Sequence, residues 1–269
     1  MPPPLTRTFD GRNKAGTVTE RYDRFWAEYL GIAPAEFNQP GLSIGAHVGL
    51  QGFRGIWCFR RRNRTVVSAP SGWIPYLRSR LPDVGQENLM DESFLRQVFG
   101  NDFDRLVGPA YQGYLLSDRF RAYAMPHTRF LGPDDAAAVE AFRMECGQDV
   151  WEYAGLDEAT SYLVGGFEGN RIVSLAGYRS WSDEAGDPCV LTHSLYRGRG
   201  WATATTSAVV GRVLNEGKVL LYQTLETNTA AIKIARRLGY EQYARHVAVR
   251  LRAETPSNPA LQRPGMARR

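Results

Sequence analysis

The chain is constrained most by residues 195–204, which read LYRGRGWATA. The apolar run before this stretch, residues 189–195, has the composition of a buried strand, and residues 201–215 after it have helical spacing. Between them, Gly198 and Gly200 interrupt both patterns and indicate a tight turn. A buried strand that leads through a glycine turn into a helix is typical of an α/β protein, here of the α+β kind with a mixed sheet.

The rest of the second half alternates helices and strands. Asp134 or Asp135 is suited to cap a helix that continues through Cys146, and Gly169-Asn170 is a two-residue turn typical of a β-hairpin. From residue 129 the expected order is α-α-β-β-β-α-β-α-β. After that first helix, elements are predicted at residues 149–153, 161–168, 171–181, 189–195, 201–215, 218–225, 228–238 and 243–251.

The first half has a different pattern. Thr17 and Glu20 fit a capping box, and aromatic residues then recur at helical spacing until Gly31. A hairpin is expected at residues 54–69, with FRRRNR at its tip as a solvated turn, and helices at 71–81 and 91–99 precede a short strand at 111–116. The glycine-rich residues 49–55 lack a strand-to-helix context, so a loop is predicted.

These patterns divide the 269 residues into three parts. Residues 1–128 are expected to form a smaller α+β accessory domain, residues 129–253 a second domain, and residues 254–269, rich in Pro, Ser and Arg, a loose tail.

Composition excludes several classes of function. No apolar run is long enough to span a bilayer, and the N-terminal residues lack the apolar centre of a signal peptide. Cys58, Cys146 and Cys189 are far apart and give neither a disulfide framework nor zinc-ligand spacing, so we expect no metal and a reducing cytoplasm. The net charge of +5 comes from scattered arginines, so neither a membrane nor a nucleic acid is an expected partner.

The glycine turn is suited to bind an anion. Gly198 and Gly200 let the backbone approach a ligand, and the first amides of the following helix have no partner within the helix. Arg197 and Arg199 add charge suited to a pyrophosphate. A Walker loop requires a Gly-Lys-Ser/Thr ending, and a dinucleotide fingerprint requires a third glycine where Thr203 stands, so both are set aside. A purely structural turn remains the alternative.

Two segments resemble motifs of the GNAT N-acetyltransferase superfamily. Residues 197–202, RGRGWA, fit the Q/R-x-x-G-x-G/A motif of that superfamily, and residues 224–241, TLETNTAAIKIARRLGYE, resemble its N-x-x-A/S...LGF/Y segment. The order of elements from residue 129 is also similar to that fold. Residues 1–128 contain no motif that indicates a particular chemistry.

The resemblance implies an acetyl-CoA site. It places the pyrophosphate on the backbone amides of the turn, and it places the pantetheine beside the strand that precedes the turn. Asn228 stands where family members often contact the cofactor, although it is also suited to a helix cap. The implied cofactor-binding residues are Val190, Leu191, Thr192, Arg197, Gly198, Arg199, Gly200, Trp201, Ala202, Thr203, Asn228 and Ala231.

The catalytic residues are harder to assign. Transfer of an acetyl group to an amine needs a neutral amine, so a base matters more than an acid when the amine resembles lysine, with a pKa of about 10.4. The resemblance implies a backbone N–H near Leu191 or Thr192 that polarises the carbonyl. However, the family's usual tyrosine acid is replaced by Ala235, and a common glutamate base by Gln223. The substitutes considered are Glu168, Glu184, Asp187, Glu226 and His193.

The sequence therefore predicts an acetyl-CoA-dependent N-acetyltransferase that acts on a small primary amine by direct attack. Two alternatives stay open: a protein N-acetyltransferase, and a non-catalytic acyl-CoA-binding regulatory module. The resemblance makes a homodimer possible. The aromatic residues of the first half, Trp26, Trp57 and Trp73, are interpreted as core or as the wall of an acceptor pocket.

Overall fold

The computed structural model describes residues 18–252, so the predicted cap at Thr17 and the predicted tail at 254–269 lie outside the described residues. Within the described range the chain forms eight α-helices and ten strands. The helices are α1 (Val18–Leu30), α2 (Pro34–Phe37), α3 (Ile74–Arg80), α4 (Glu92–Phe99), α5 (Ala136–Cys146), α6 (Gln148–Tyr153), α7 (Trp201–Asn215) and α8 (Thr229–Leu238). The strands are β1 (Gly41–Ala46), β2 (Gly55–Arg61), β3 (Arg64–Ala69), β4 (Phe103–Tyr114), β5 (Thr128–Phe130), β6 (Ser161–Glu168), β7 (Arg171–Ser180), β8 (Ala185–Thr192), β9 (Val219–Leu225) and β10 (Glu241–Leu251).

The predicted order of elements in the second half is confirmed from α5 to β10. Three expectations about strands were wrong. The strand before the glycine turn ends at Thr192, because a 3-10 turn occupies Ser194–Tyr196. The strand expected at 111–116 is the end of the much longer β4, and β1 and β5 were not expected.

The ten strands form one sheet in the order β1-β3-β2-β10-β4-β9-β8-β7-β6-β5. β4 lies between β9 and β10 and is antiparallel to both, although it comes from the first half of the chain. A strand before residue 128 thus completes the sheet formed by the strands after it. The division into an accessory domain and a second domain at residue 128 stays a prediction.

Helix α1 ties the two halves together. Its apolar face presents Tyr22 and Trp26, which are almost fully buried against β2 and β9 residues. The Tyr22 hydroxyl donates to the carbonyl of Leu220 (3.0 Å) and accepts from the amide of Leu115 (3.2 Å). Because a buried hydroxyl needs such partners, α1 is fixed over the sheet between β4 and β9.

Helix α7 packs on the other side of the sheet, across β6, β7 and β8. It is apolar or small on most of its surface, with Ala204, Val209, Val210 and Val213 almost fully buried. The glycine turn at the start of α7 is therefore held at the edge of the core.

A bulge bends β4 at Gly108-Pro109. The register against β10 shifts between the pairs His246 with Ala110 and Ala248 with Val107. Proline cannot donate to the ladder, which suits a site where one strand holds an extra residue. The shift lets the side chains of Val107 and Ala110 line the same cavity, although residues three apart on a regular strand point to opposite faces.

Candidate active site

Strands β8 and β9 are parallel, but they pair only at their first residues. Ala185 lies opposite Val219 and Gly186 opposite Leu220, and no pairing follows along the rest of the two described strands. Pro188, which has no N–H, stands where the strands separate. The separation opens a gap in the sheet with free backbone groups on both edges.

The direction of the amides along β8 follows from one hydrogen bond. The amide of His193 donates to the carbonyl of Val173 on β7 at 3.0 Å. Because amides alternate in direction along a strand, those of Val190 and Thr192 point to the gap, while that of Leu191 points to β7. Of the two predicted carbonyl-polarising donors, this geometry favours Thr192 over Leu191.

The glycine turn adopts the backbone conformation that its sequence requires. Gly198 and Gly200 have φ of 77° and 92°, a region that side chains with a Cβ rarely adopt. The first backbone bond of α7 runs from the amide of Ala204 to the carbonyl of Gly200 (3.0 Å). The amides of residues 201–203 consequently have no partner inside the helix and form an anion-binding end.

Gly200 is also confined by its neighbours. A Cβ added there would lie 2.8 Å from the hydroxyl oxygen of Tyr123 and 3.2 Å from Sδ of Met125, whereas one added at Gly198 would meet nothing. Of these two glycines, it is Gly200 that combines the conformational demand with a steric one.

A cavity of about 840 Å³ runs from the glycine turn into the gap between β8 and β9. Every predicted cofactor-binding residue except Arg199 lines it. The side chain of Arg199 instead lies over the Tyr196 ring and 3.7 Å from Glu168, which leaves that carboxylate exposed outside the cavity.

The charges around this cavity have one sign. Among the described residues that line it there is no Asp or Glu, whereas four are cationic: Arg179, Arg197, Lys233 and Arg237. An extended cavity with a helix N-terminus and Arg197 at one end fits a ligand with phosphates, and the narrow gap between two strand edges fits its pantetheine arm.

Asn228 is both a cap and a wall of the cavity. Its side-chain oxygen accepts from the amide of Ala231 at 3.1 Å and so caps α8. The side-chain NH₂ is left to face the cavity that both residues line. Ala235, at the family's usual tyrosine position, is completely buried on the inner face of α8, so that position offers no acid.

A second cavity, of about 380 Å³, adjoins the first. Its walls include four aromatic side chains, Tyr29, Phe53, Trp57 and Trp181. Four residues line both cavities: Val107, Arg179, Gln223 and His246. We call the smaller cavity the aromatic cavity. It adjoins the end of the larger cavity that lies farther from the glycine turn.

His246 is the buried polar group at the boundary. It is 3% exposed, its Nδ1 lies 2.8 Å from Nε2 of Gln112, and its Nε2 lies 3.4 Å from Nε2 of Gln223. The ring stacks on Trp57 at 4.3 Å between centroids. Burial lowers the pKa of His246 to about 3, so the imidazole is neutral at physiological pH.

Asp187 was a candidate base, but it is a buried structural carboxylate. It is 2% exposed and accepts from Nε1 of Trp181 (2.8 Å) and from Nε and Nη2 of Arg179 (3.3 and 3.2 Å). Burial raises its pKa, and the adjacent guanidinium opposes that shift. It thus positions two side chains of the aromatic cavity without lining either cavity.

The other predicted catalytic residues lie elsewhere as well. Glu184 is exposed in the turn between β7 and β8, and Glu226 pairs with Arg245. The Nδ1 of His193 accepts from the amide of Leu195 at 3.4 Å, at the start of the 3-10 turn. The structure does not bring these candidates together, and none of them lines either cavity. Their catalytic roles stay predictions without support from the geometry.

Cys189 lines the larger cavity, but burial raises its thiol pKa to about 12. A thiol in that environment is a poor nucleophile at neutral pH. An acyl-cysteine intermediate is therefore disfavoured.

Sequence reasoning missed His246 and Gln112. A single histidine or glutamine inside an apolar strand carries no local signal, and only the pairing of β10 with β4 brings the two together. Of the tryptophans, Trp26 is core, Trp73 packs against core residues, and Trp57 lines the aromatic cavity.

Residues 18–252 also bear on two other kinds of function, membrane insertion and metal binding. None of the helices there is both long and apolar enough to cross a bilayer. No group of three or more His, Cys, Asp or Glu side chains in that range is placed to hold a metal ion.

Residues 164–249 match the sequence model of the family described as FR47-like protein, which is related to the GNAT acetyltransferases. The match begins in β6 and ends in β10, so it contains the diverging strands, the glycine turn and α8. Residues 164–249 are accordingly similar to a GNAT-type domain. The comparison with curated proteins found no match.

Several solved structures are similar. A GNAT-family acetyltransferase from Colwellia psychrerythraea is 16% identical with a TM-score of 0.45, over 59% of this chain and 61% of that one. A GCN5-related N-acetyltransferase from Kribbella flavida is 18% identical with a TM-score of 0.43, over 59% and 66%. The chain thus spans less than two thirds of either structure.

Proposed function

We propose that this protein transfers the acetyl group of acetyl-CoA to the primary amine of a small molecule, by direct attack of the amine on the thioester. One observation carries the proposal. The cavity lined by nearly all the expected cofactor-binding residues has cations and no carboxylate among its described lining residues, and it adjoins a second cavity that could hold an acceptor.

The roles of the residues follow from their places along the two cavities. The amides of residues 201–203 bind the pyrophosphate, with Arg197 beside them. The amides of Val190 and Thr192 bind the substrate arm in the gap, and that of Thr192 polarises the thioester carbonyl. The acceptor amine then lies next to His246 and Gln223, where the cavities join.

The leaving sulfur receives no proton from a side chain at the position of Ala235, because alanine has no acidic group. A thiol of pKa about 8.5 is an acceptable leaving group, so its thiolate can take a proton from water. Nothing in the geometry supports a covalent enzyme intermediate, because the pKa of Cys189 is raised.

The size of the aromatic cavity supports a small molecule as acceptor. A volume of about 380 Å³ falls within the range of small-ligand sites, and its walls come from six elements around it. A protein substrate needs an extended groove for the residues that flank its amine. Turnover with any free amine would exclude a purely regulatory acyl-CoA-binding module.

The test is the melting temperature with and without acetyl-CoA for the parent and for Gly200→Asp. A ligand at about 100 times its dissociation constant stabilises by about 2.7 kcal/mol, or roughly 5–10 °C for a protein of this size. We expect that shift in the parent and none in the variant, whose side chain meets Tyr123 and places a carboxylate at the anion site.

Gly169→Asp is the matched control. Gly169 has a φ of 59° and open space around it, in the turn between β6 and β7 and away from both cavities. This control should keep the shift. No shift in the parent at millimolar acetyl-CoA, or an equal shift in the parent and Gly200→Asp, would overturn the proposed cofactor site.

A further inference from the structure

We propose that the aromatic cavity selects an aromatic amine that carries a carboxylate, of the aminobenzoate class, as the acceptor. The proposal rests on the proposed acetyl transfer and adds the chemistry of its second substrate. Three features of the cavity carry it: aromatic walls, a cation at the rim with no carboxylate among the described lining residues, and the lack of a base at the point of attack.

The walls are aromatic and apolar. The rings of Tyr29 and Trp181 lie 5.5 Å apart between centroids, those of Tyr29 and Trp57 6.1 Å, and those of Trp57 and Trp181 6.5 Å, at interplanar angles of 39°, 47° and 50°. These rings contact one another and form a continuous aromatic surface on which one face or edge of a planar substrate can pack. A flexible polyamine would gain little from them.

The loop 49–54 closes one side of the cavity. Gly49 packs so tightly on Tyr29 that an added Cβ would overlap its ring, and Leu50 and Phe53 line the cavity. The glycine-rich sequence of this loop is thereby explained by close packing on an aromatic wall rather than by phosphate binding.

The charged groups that face the cavity are cationic. Arg179 and Arg250 line it, and none of the described lining residues is Asp or Glu. Asp187 occupies one side of the Arg179 guanidinium, whereas Arg250 is exposed at the rim and lies over the Phe53 ring at 4.5 Å. The Arg250 guanidinium, next to an aromatic wall, suits a carboxylate on a ring, and its positive charge disfavours a polyamine.

The groups near the attacking nitrogen cannot take its proton at neutral pH. The titratable groups that face the cavity are Tyr29, Arg179, Arg250 and His246. Burial raises the pKa of Tyr29 to about 12 and lowers that of His246 to about 3, and a guanidinium is always protonated. An alkylamine of pKa about 10.4 would arrive as an ammonium and find no base.

An aromatic amine avoids this difficulty, because its nitrogen lone pair is delocalised into the ring and the amine is neutral at pH 7. The nitrogen attacks the carbonyl carbon of acetyl-CoA and forms the N–C bond as the C–S bond breaks. The thiolate leaves with the electron pair and takes the proton that the nitrogen loses through water. The products are the N-acetylated aromatic amine and free CoA.

The first experiment compares three acceptors with the full chain and acetyl-CoA, by release of free thiol. The acceptors are 4-aminobenzoate, 4-(aminomethyl)benzoate, which has a basic alkylamine, and aniline, which has no carboxylate. We expect kcat/KM for 4-aminobenzoate to exceed that of each of the others at least tenfold at pH 7, with no rise between pH 6.5 and 8.5. A preference for 4-(aminomethyl)benzoate or for aniline would overturn the proposal.

Two substitutions test the binding of the carboxylate and the lack of a base separately. Arg250→Gln should raise KM for 4-aminobenzoate about tenfold and leave aniline unchanged, while Arg245→Gln, on the same strand but outside both cavities, should change neither. Gln223→Glu introduces a carboxylate at the join and should raise the rate with 4-(aminomethyl)benzoate more than that with 4-aminobenzoate. Equal effects on all acceptors would contradict the assigned roles.

The outcome also distinguishes a failure of the proposed acceptor class from a failure of the proposed acetyl transfer. If acetyl-CoA stabilises the parent but not Gly200→Asp, and only aliphatic amines are acetylated, the acceptor class is wrong and the proposed function stands. If acetyl-CoA does not stabilise the parent, both are wrong.

Discussion

The two ends of the active site are built in different ways. At the glycine turn, one continuous stretch of chain supplies the binding groups, and most of them are backbone amides with cations around them. At the aromatic cavity, side chains from α1, β2, β4, β7, β9 and β10 converge with the loop 49–54. Binding of an invariant phosphate needs only a local backbone shape, whereas selection of a particular acceptor needs a surface assembled from the whole fold.

The difference has a consequence for stability. Changes at the aromatic cavity remove buried side-chain contacts, so they are expected to cost folding free energy as well as acceptor binding. Most of the glycine turn is exposed backbone, so changes there are expected to affect chiefly cofactor binding, except at Gly200, where an added side chain also meets Tyr123.

The largest effect is expected for Asp187→Asn. The change leaves the Arg179 guanidinium without its charged partner in a buried position and weakens the acceptor bond to Trp181. Breaking a buried ion pair costs about 3–5 kcal/mol, and because Arg179 is 39% exposed we expect a cost of about 3 kcal/mol. The melting temperature should fall by roughly 6–12 °C.

The same variant tests how independent the two ends are. KM for the acceptor should rise while the stabilisation by acetyl-CoA is kept, because Asp187 does not line the larger cavity. Asp183→Asn, an exposed aspartate in the adjoining turn, is the matched control and should melt like the parent. Loss of acetyl-CoA binding in Asp187→Asn would mean that the two ends form one unit.

The next effect concerns pH and His246. Its folded pKa of about 3 lies below the unfolded value of about 6.5, so the unfolded chain binds a proton that the folded chain does not. The stability that this difference contributes is present above pH 6.5 and is lost as the pH falls toward 3. The loss amounts to about 1.4 kcal/mol per pH unit.

Urea unfolding between pH 4.5 and 7.5 measures this slope. In His246→Gln the slope of the unfolding free energy against pH should be smaller, by an amount that corresponds to about one proton. His127→Gln, which replaces an exposed histidine, is the control and should keep the parent's slope. If His246→Gln and the parent have the same slope, the histidine is hydrated and is not the dry group that the acceptor end requires.

The contrast between the ends also explains what the sequence could predict. The turn at Gly198 and Gly200, helix α7 and the cap at Asn228 are local features, and all were predicted because spacing and capping act within a few residues. The position of β4 between β9 and β10 was not predictable in this way. It depends on pairing with strands more than 100 residues away, whose register is set by burial in the finished sheet.

The positions of the catalytic candidates could not be predicted for the same reason. Exposed carboxylates such as Glu184 cannot be told from buried ones in a sequence, and Asp187 was grouped with them. One signal was present: Arg179 and Asp187 flank the turn at 181–184 and become cross-strand partners once the hairpin forms. His246 had no such signal, because its partner Gln112 lies in the first half of the chain.

The smallest effect is expected for Asn228→Ala. This variant tests how far cofactor binding at the glycine turn depends on backbone amides alone. The variant loses the cap on Ala231, which costs about 1 kcal/mol of folding free energy, and it loses an NH₂ group that faces the cavity. Asn228→Asp keeps the capping oxygen but replaces that donor with a charge among cations, so it should melt close to the parent. If the larger cavity binds phosphates mainly through amides of the turn, both variants should keep most of the stabilisation by acetyl-CoA, with affinity reduced less than tenfold, as measured by titration calorimetry. A loss as complete as that expected for Gly200→Asp would show that a side chain, contributed by α8, is as important to this end as the turn.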